Sequence, residues 1–212
     1  MRRCLGVLLT AAGATSLAMA LSAASAPAAP AAGWNVSPGG SFTGKQSGKV
    51  TIADTATGES VVCTTTAAAG HLKSGTGLPA SIGSLRSLSL TGCATPGGLA
   101  FTATAGALPW SLKAGKYLEA KATTDGTLTG MHFTLAATGC SATIDGTSAT
   151  GDNGSVVIHI HNSPSKLKFE AAGATLHVYV GSGCTGVFNN GDAVTIDNAY
   201  LLSPAQTVTG PS

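Results

Sequence analysis

The stretch Ser155-Val-Val-Ile-His-Ile-His-Asn-Ser163 alternates apolar and polar side chains. Val156, Ile158 and Ile160 share one face; Val157, His159 and His161 share the other. A period of two belongs to a half-buried β-strand, because successive side chains leave a strand on opposite sides. An amphipathic helix would instead repeat its apolar residues at three and four positions. The stretch therefore reads as a strand with an aliphatic core face and an imidazole-bearing outer face.

The same period recurs along the chain. Val50 and Ile52 alternate with Lys49 and Thr51, and Leu88 and Leu90 lead into Cys93. Phe101, Ala103 and Ala105 share a face, as do Leu118, Ala120 and Ala122. Asp125-Gly126 then reads as a hairpin turn. The apolar phase moves from Leu128 to Met131, Phe133 and Leu135, so a β-bulge is expected at Gly130 to absorb the shift. Cys140, Ala142 and Ile144 run into Asp145-Gly146. Two further strands are expected around Leu167–Phe169 and Leu176–Val180, and a last one around Val194–Leu201. The expected fold is all-β: an antiparallel β-sandwich or barrel of about ten to twelve short strands, tied by two disulfides.

The chain opens with Arg2 and Arg3, an apolar run from Leu5 to Leu21, and small residues up to Ala32. That order is the pattern of an export signal, with cleavage expected between residues 24 and 32. Residues 33–212 are then one secreted domain, with a split near Gly115 as the alternative. The apolar run is short for a membrane span. Cys4 would leave with the signal. The C-terminal residues carry no apolar tail or basic cluster, so free release outside the cell is expected.

The charge is balanced once the first 30 residues are set aside: eight Lys and Arg86 face nine Asp and Glu. Nucleic-acid backbones and anionic lipid surfaces are bound through Lys/Arg clusters. Neither a nucleic acid nor a membrane is expected as partner. Four cysteines remain, Cys63, Cys93, Cys140 and Cys184. An even number in an oxidising compartment predicts two disulfides. Three pairings are open; joining sequence neighbours gives Cys63–Cys93 and Cys140–Cys184. No two cysteines stand at knuckle spacing for zinc.

Several segments form a set: Trp34-Asn-Val-Ser-Pro-Gly-Gly40, Thr91-Gly-Cys-Ala-Thr-Pro-Gly-Gly-Leu-Ala-Phe-Thr102 and Ala107-Leu-Pro-Trp-Ser-Leu112. Gly183-Cys-Thr-Gly186 and the Ser203–Pro211 ending complete it. Together with the Ala/Gly/Thr-rich composition, the set resembles small secreted proteins of actinobacteria. The resemblance covers most of the mature chain. It implies an exported β domain and supplies no catalytic residue.

His159 and His161 project from one strand face, the arrangement two imidazoles need to share a zinc, copper or iron ion. His132 and His177 also take non-core phases and are the expected third donors if their strands lie alongside. Tyr179 shares the outer phase with His177. Trp34, Trp110, Tyr117, Tyr179 and Tyr200 are candidates for an aromatic platform. Calcium is a candidate at Asp152-Asn153-Gly154 and at Asn189–Asp192, although neither segment has a dense oxygen array. Asp125 and Asp145 read as turn residues. No Gly-x-Ser-x-Gly elbow is present for a hydrolase nucleophile.

The expected role is therefore non-enzymatic, binding or structural, at the cell exterior. The partner would be an extracellular glycan or protein, with no cofactor required. His159, His161, His177 and Tyr179 are the candidate binding residues. The alternative is a metal-binding protein or metal-dependent enzyme built on His159 and His161.

Overall fold

The structure, a computed structural model, describes residues 33–211. The expected export signal and Cys4 lie outside the described residues. Fourteen strands are present among those described, more than the ten to twelve expected. They are β1 (Trp34–Ser37), β2 (Gly40–Gln46), β3 (Val50–Asp54), β4 (Ser60–Leu72) and β5 (Gly75–Leu78). Next come β6 (Ser81–Ala94), β7 (Ala100–Gly106), β8 (Trp110–Leu118), β9 (Thr123–Ala137) and β10 (Cys140–Asp145). The last are β11 (Gly154–Asn162), β12 (Ser165–Gly183), β13 (Ala193–Ser203) and β14 (Thr207–Thr209).

The excess in strand number comes from interrupted strands. β2 and β3 both pair with β4 and β13; β7 and β8 both pair with β6 and β9; β10 and β11 both pair with β9 and β12. Each such couple is one pass of the chain, broken at 47–49, 107–109 and 146–153. With β4, β6, β9, β12 and β13 the passes number eight. Each pass is antiparallel to the next, and β13 returns to β2 and β3. The ladder closes, so the wall has no free edge. Eight passes enclose a space that side chains can fill. The walls face each other across one core, as in a sandwich. That core includes Trp110, which meets Phe133 edge-on at 4.9 Å, and Phe169, which meets Tyr200 edge-on at 5.9 Å.

One end is covered by the three-stranded sheet β14-β1-β5. It is fastened by the buried Thr124 hydroxyl, which donates to the Val208 carbonyl at 2.8 Å. Asn162 donates to the same carbonyl and accepts from the Val208 N–H. At the other end sit both disulfides, Cys63–Cys93 and Cys140–Cys184, the expected pairing. There Phe188, from the segment after Cys184, packs edge-on against Phe101.

β11 keeps the expected faces: Val156, Ile158 and Ile160 are buried, and His159 and His161 are half-buried on the outside. Gly130 is the expected bulge. Met131 pairs with Gly154 and Thr129 with Ser155, so Gly130 is skipped, with φ at 88°. An alanine Cβ there meets no atom closer than 3.8 Å, so only the left-handed backbone penalises it. Gly130→Ala is expected to cost about 1–2 kcal/mol. A urea midpoint equal to wild type would contradict this.

Three expectations need correction. Asp125-Gly126 is not a hairpin turn; it lies inside β9, where Gly126 pairs with Ala114 and Ile158. A Cβ at 126 would collide with the Lys113 carbonyl, so this glycine serves close strand approach. The turn falls earlier, on a 3-10 segment Glu119–Lys121 closed by Ala122 in the left-handed region, where a continuing strand was expected. The two strands expected at 167–180 are one strand, β12, whose pairing with β13 is interrupted between Phe169 and Leu176. The aromatic platform is also absent as a unit: Trp34, Trp110 and Tyr200 belong to the core.

Candidate functional site

The outer faces of β9, β11 and β12 lie side by side, and strand register decides which side chains meet. His159 stands opposite Asp125 on β9 and Lys168 on β12. His161 stands opposite Thr123 on β9 and Lys166 on β12. Cross-strand neighbours on one face are close enough to interact. His159 Nδ1 is 2.7 Å from Asp125 Oδ1, and its Nε2 is 3.6 Å from Glu170 Oε2. Lys168 donates to the same Glu170 oxygen at 2.8 Å. That bond raises the Lys168 pKa and lowers the Glu170 pKa, so each holds the other's charge.

Thr123 donates its one hydroxyl proton to the Lys121 carbonyl at 2.9 Å. Its oxygen is then left to accept from His161 Nδ1–H, 3.0 Å away. His161 is held below its usual pKa, first by burial and then by Lys166, His159 and Lys168. Its Nε2 is accordingly unprotonated at neutral pH. These side chains, with Leu118, line an open groove of about 520 Å³.

His132 and His177 do not join this pair. His132 lies further along β9, opposite Gly106 of β7. His177 lies on the other half of β12, where its Nδ1–H donates to the Gly191 carbonyl at 3.2 Å. Tyr179 donates to the Gly146 carbonyl at 2.8 Å. The four candidate binding residues thus divide: His159 and His161 in the groove, His177 against Gly191 and Tyr179 against Gly146. In place of a third histidine, the carboxylates Asp125 and Glu170 stand beside His159, while His161 has Thr123 and Lys166 as its neighbours.

A second polar cluster surrounds Asp145, which the sequence reading placed in an ordinary turn. Asp145 is fully buried. Its Oδ1 accepts from the N–H groups of Gly146, Asn153 and Gly154, and its Oδ2 from the N–H of Asp152. Oδ2 also accepts from His132 Nδ1 at 2.9 Å, and Asp152 Oδ1 lies 3.1 Å from the same nitrogen. Burial opposes ionisation of Asp145, but His132 and the backbone donors outweigh it, and the pKa is lowered. The segment 146–153 is therefore wrapped around a carboxylate.

His132, Asp145 and Asp152 are the three-donor group close enough to share a cation among the described residues; His159 and His161 belong to no such group. The oxygens of Asp145 already receive five donors, which leaves it poorly disposed to ligate. A calcium loop turns oxygens inward. Here residues 152–154 turn N–H groups inward, toward their own chain's carboxylate. At 189–192, Asn189 donates to Asp192 at 3.0 Å. The one signal for Asp145 in the sequence was its phase: it follows Ile144 onto the outer face, opposite His177.

No known protein family, curated protein or solved structure matches this chain. Among the described residues no helix is long and apolar enough to cross a membrane.

Proposed function

We propose that the chain is an exported binding domain acting outside the cell, with the groove over β9, β11 and β12 as its ligand face. The carrying observation is the concentration of charge. In a chain with only 9% charged residues, the groove is lined by Lys121, Asp125, Lys166, Lys168 and Glu170, with two of the five histidines. The rest of the wall is rich in Ser, Thr and Ala. Convergent polar groups in a concavity are the usual mark of a ligand site.

A non-enzymatic role is supported by the state of the groove's one hydroxyl. Thr123 is committed to the Lys121 carbonyl and to His161, so no activated hydroxyl faces the groove as a nucleophile. Export is supported by the two disulfides, which persist in oxidising compartments, and by the signal pattern and the resemblance to secreted actinobacterial proteins.

The test is a binding screen of the secreted protein against immobilised polysaccharides, peptidoglycan and extracellular proteins. His161→Ala/Lys166→Ala is expected to abolish capture of the wild-type partner. Lys45→Ala, on the far side of the barrel, is expected to retain it. The reverse pattern would contradict the proposal. Stoichiometric metal in the purified protein that is lost in His159→Ala/His161→Ala would replace it with the metal reading.

A further inference from the structure

The groove is electrically divided. At one end His159 is hydrogen-bonded to Asp125 and Lys168 pairs with Glu170, so both carboxylates have a partner within the protein. At the other end Lys121 and Lys166 have no carboxylate within ion-pair distance among the described residues, although they line the same groove. Register explains why they converge. Lys166 is the direct neighbour of His161 across the β11–β12 ladder, and Thr123 is its neighbour across the β9–β11 ladder. Lys121 ends the 3-10 turn, and its carbonyl is bound by Thr123. Two ammonium groups, one imidazole and the apolar Leu118 therefore face one end of the groove with no anion of their own.

We infer that the end of the groove held by Lys121 and Lys166 receives an oxyanion, a carboxylate or phosphate group carried by the ligand, while the unprotonated Nε2 of His161 beside it accepts a hydrogen from a ligand hydroxyl. The inference rests on the binding role proposed above and names the chemistry of what is bound. A metal cation is disfavoured at the same place, since Lys121 and Lys166 stand there without a carboxylate and repel it. An oxyanion is attracted by the same lysines, whose ammonium groups each offer three donors. The paired half beside it, with its Asp125 and Glu170 oxygens, is suited to accept hydroxyl or amide hydrogens from the remainder of the ligand.

The test uses the full secreted chain, labelled with ¹⁵N, and three probes. Trigalacturonate carries carboxylates on a sugar frame, maltotriose is its neutral counterpart, and inorganic phosphate is an oxyanion alone. Trigalacturonate is expected to shift the resonances of His161, Thr123 and Lys166, with affinity falling as salt is added. Lys121→Gln/Lys166→Gln is expected to weaken it about tenfold while melting like wild type. Equal shifts from phosphate and from trigalacturonate would support the oxyanion and assign the affinity to it alone; shifts from trigalacturonate only would support a carboxylated ligand. Maltotriose binding in the groove as tightly as trigalacturonate would overturn the oxyanion and leave the groove as ligand face. Shifts confined to β2, β4 and β6 would overturn both. No shift with either anion would overturn the inference.

Discussion

Reduction of Cys63–Cys93 and Cys140–Cys184 together is expected to lower the unfolding free energy by about 7 kcal/mol. The bridges close loops of 30 and 44 residues. In the chain-entropy description each contributes about 3.5–4 kcal/mol by restricting the unfolded chain. Domains are stable by only about 5–15 kcal/mol, so the reduced protein should be marginal or unfolded. The loss should also be uneven. Both bridges sit at the end of the barrel opposite the β14-β1-β5 sheet. One fixes β4 to β6, and the other fixes the start of β10 to the segment carrying Phe188. Hydrogen exchange on reduction should rise first around Phe101, Cys140 and Phe188, before the Thr124–Val208 contact opens. Urea unfolding with and without reductant checks the magnitude. An unchanged midpoint, with the thiols shown to be free, would contradict the prediction.

Asp145→Ala is expected to cost about 4 kcal/mol, a drop of about 10 °C in Tm for a domain of this size. The substitution strands four backbone N–H groups and the His132 ring nitrogen at once, and each unsatisfied buried group costs about 1–3 kcal/mol. Asp145→Asn should cost less, because one amide oxygen still accepts, although its NH₂ meets donors. The pH dependence has a definite sign. The folded pKa lies below the ordinary 3.8, so Asp145 contributes its full stability above that value. The contribution is lost as pH falls through the lowered folded value. Melting curves from neutral to strongly acidic pH should therefore show a steeper acid loss in wild type than in Asp145→Asn. Parallel acid limbs in the two proteins would contradict the assignment. His161 adds a loss at higher pH: its pKa is lowered from 6.5, so the unfolded chain binds more protons below that value and stability falls there.

The fold was legible where one physical signal acts alone. In β11 alternation is uninterrupted, and the buried positions follow it residue by residue. At Gly130 a phase change needs one extra residue, and a bulge is the local way to insert it. The cysteine pairing followed from sequence proximity, since neighbouring passes of an up-and-down barrel are adjacent along the chain. Asp125-Gly126 misled because its turn chemistry and its suitability for close strand packing look alike in a sequence; the register of β8 and β11 chose the second. Asp145 was hidden for a related reason. An Asp-Gly pair at a strand end reads as a turn, and only the return of residues 152–154 shows the aspartate as an anchor. The histidines of the groove were visible, but their partners were not. Asp125 and Glu170 lie 34 residues before and 11 after His159 in number, and only pairing with β9 and β12 brings them to its ring.

The groove over β9, β11 and β12 is proposed as the place where ligand sits. Histidine footprinting with diethylpyrocarbonate, read by peptide mass spectrometry with and without trigalacturonate, tests it most directly. Protection of His159 and His161, with His71 on β4 and His177 on β12 unchanged, is the predicted result. Protection of His71 or His177 while His159 and His161 stay equally reactive would contradict it.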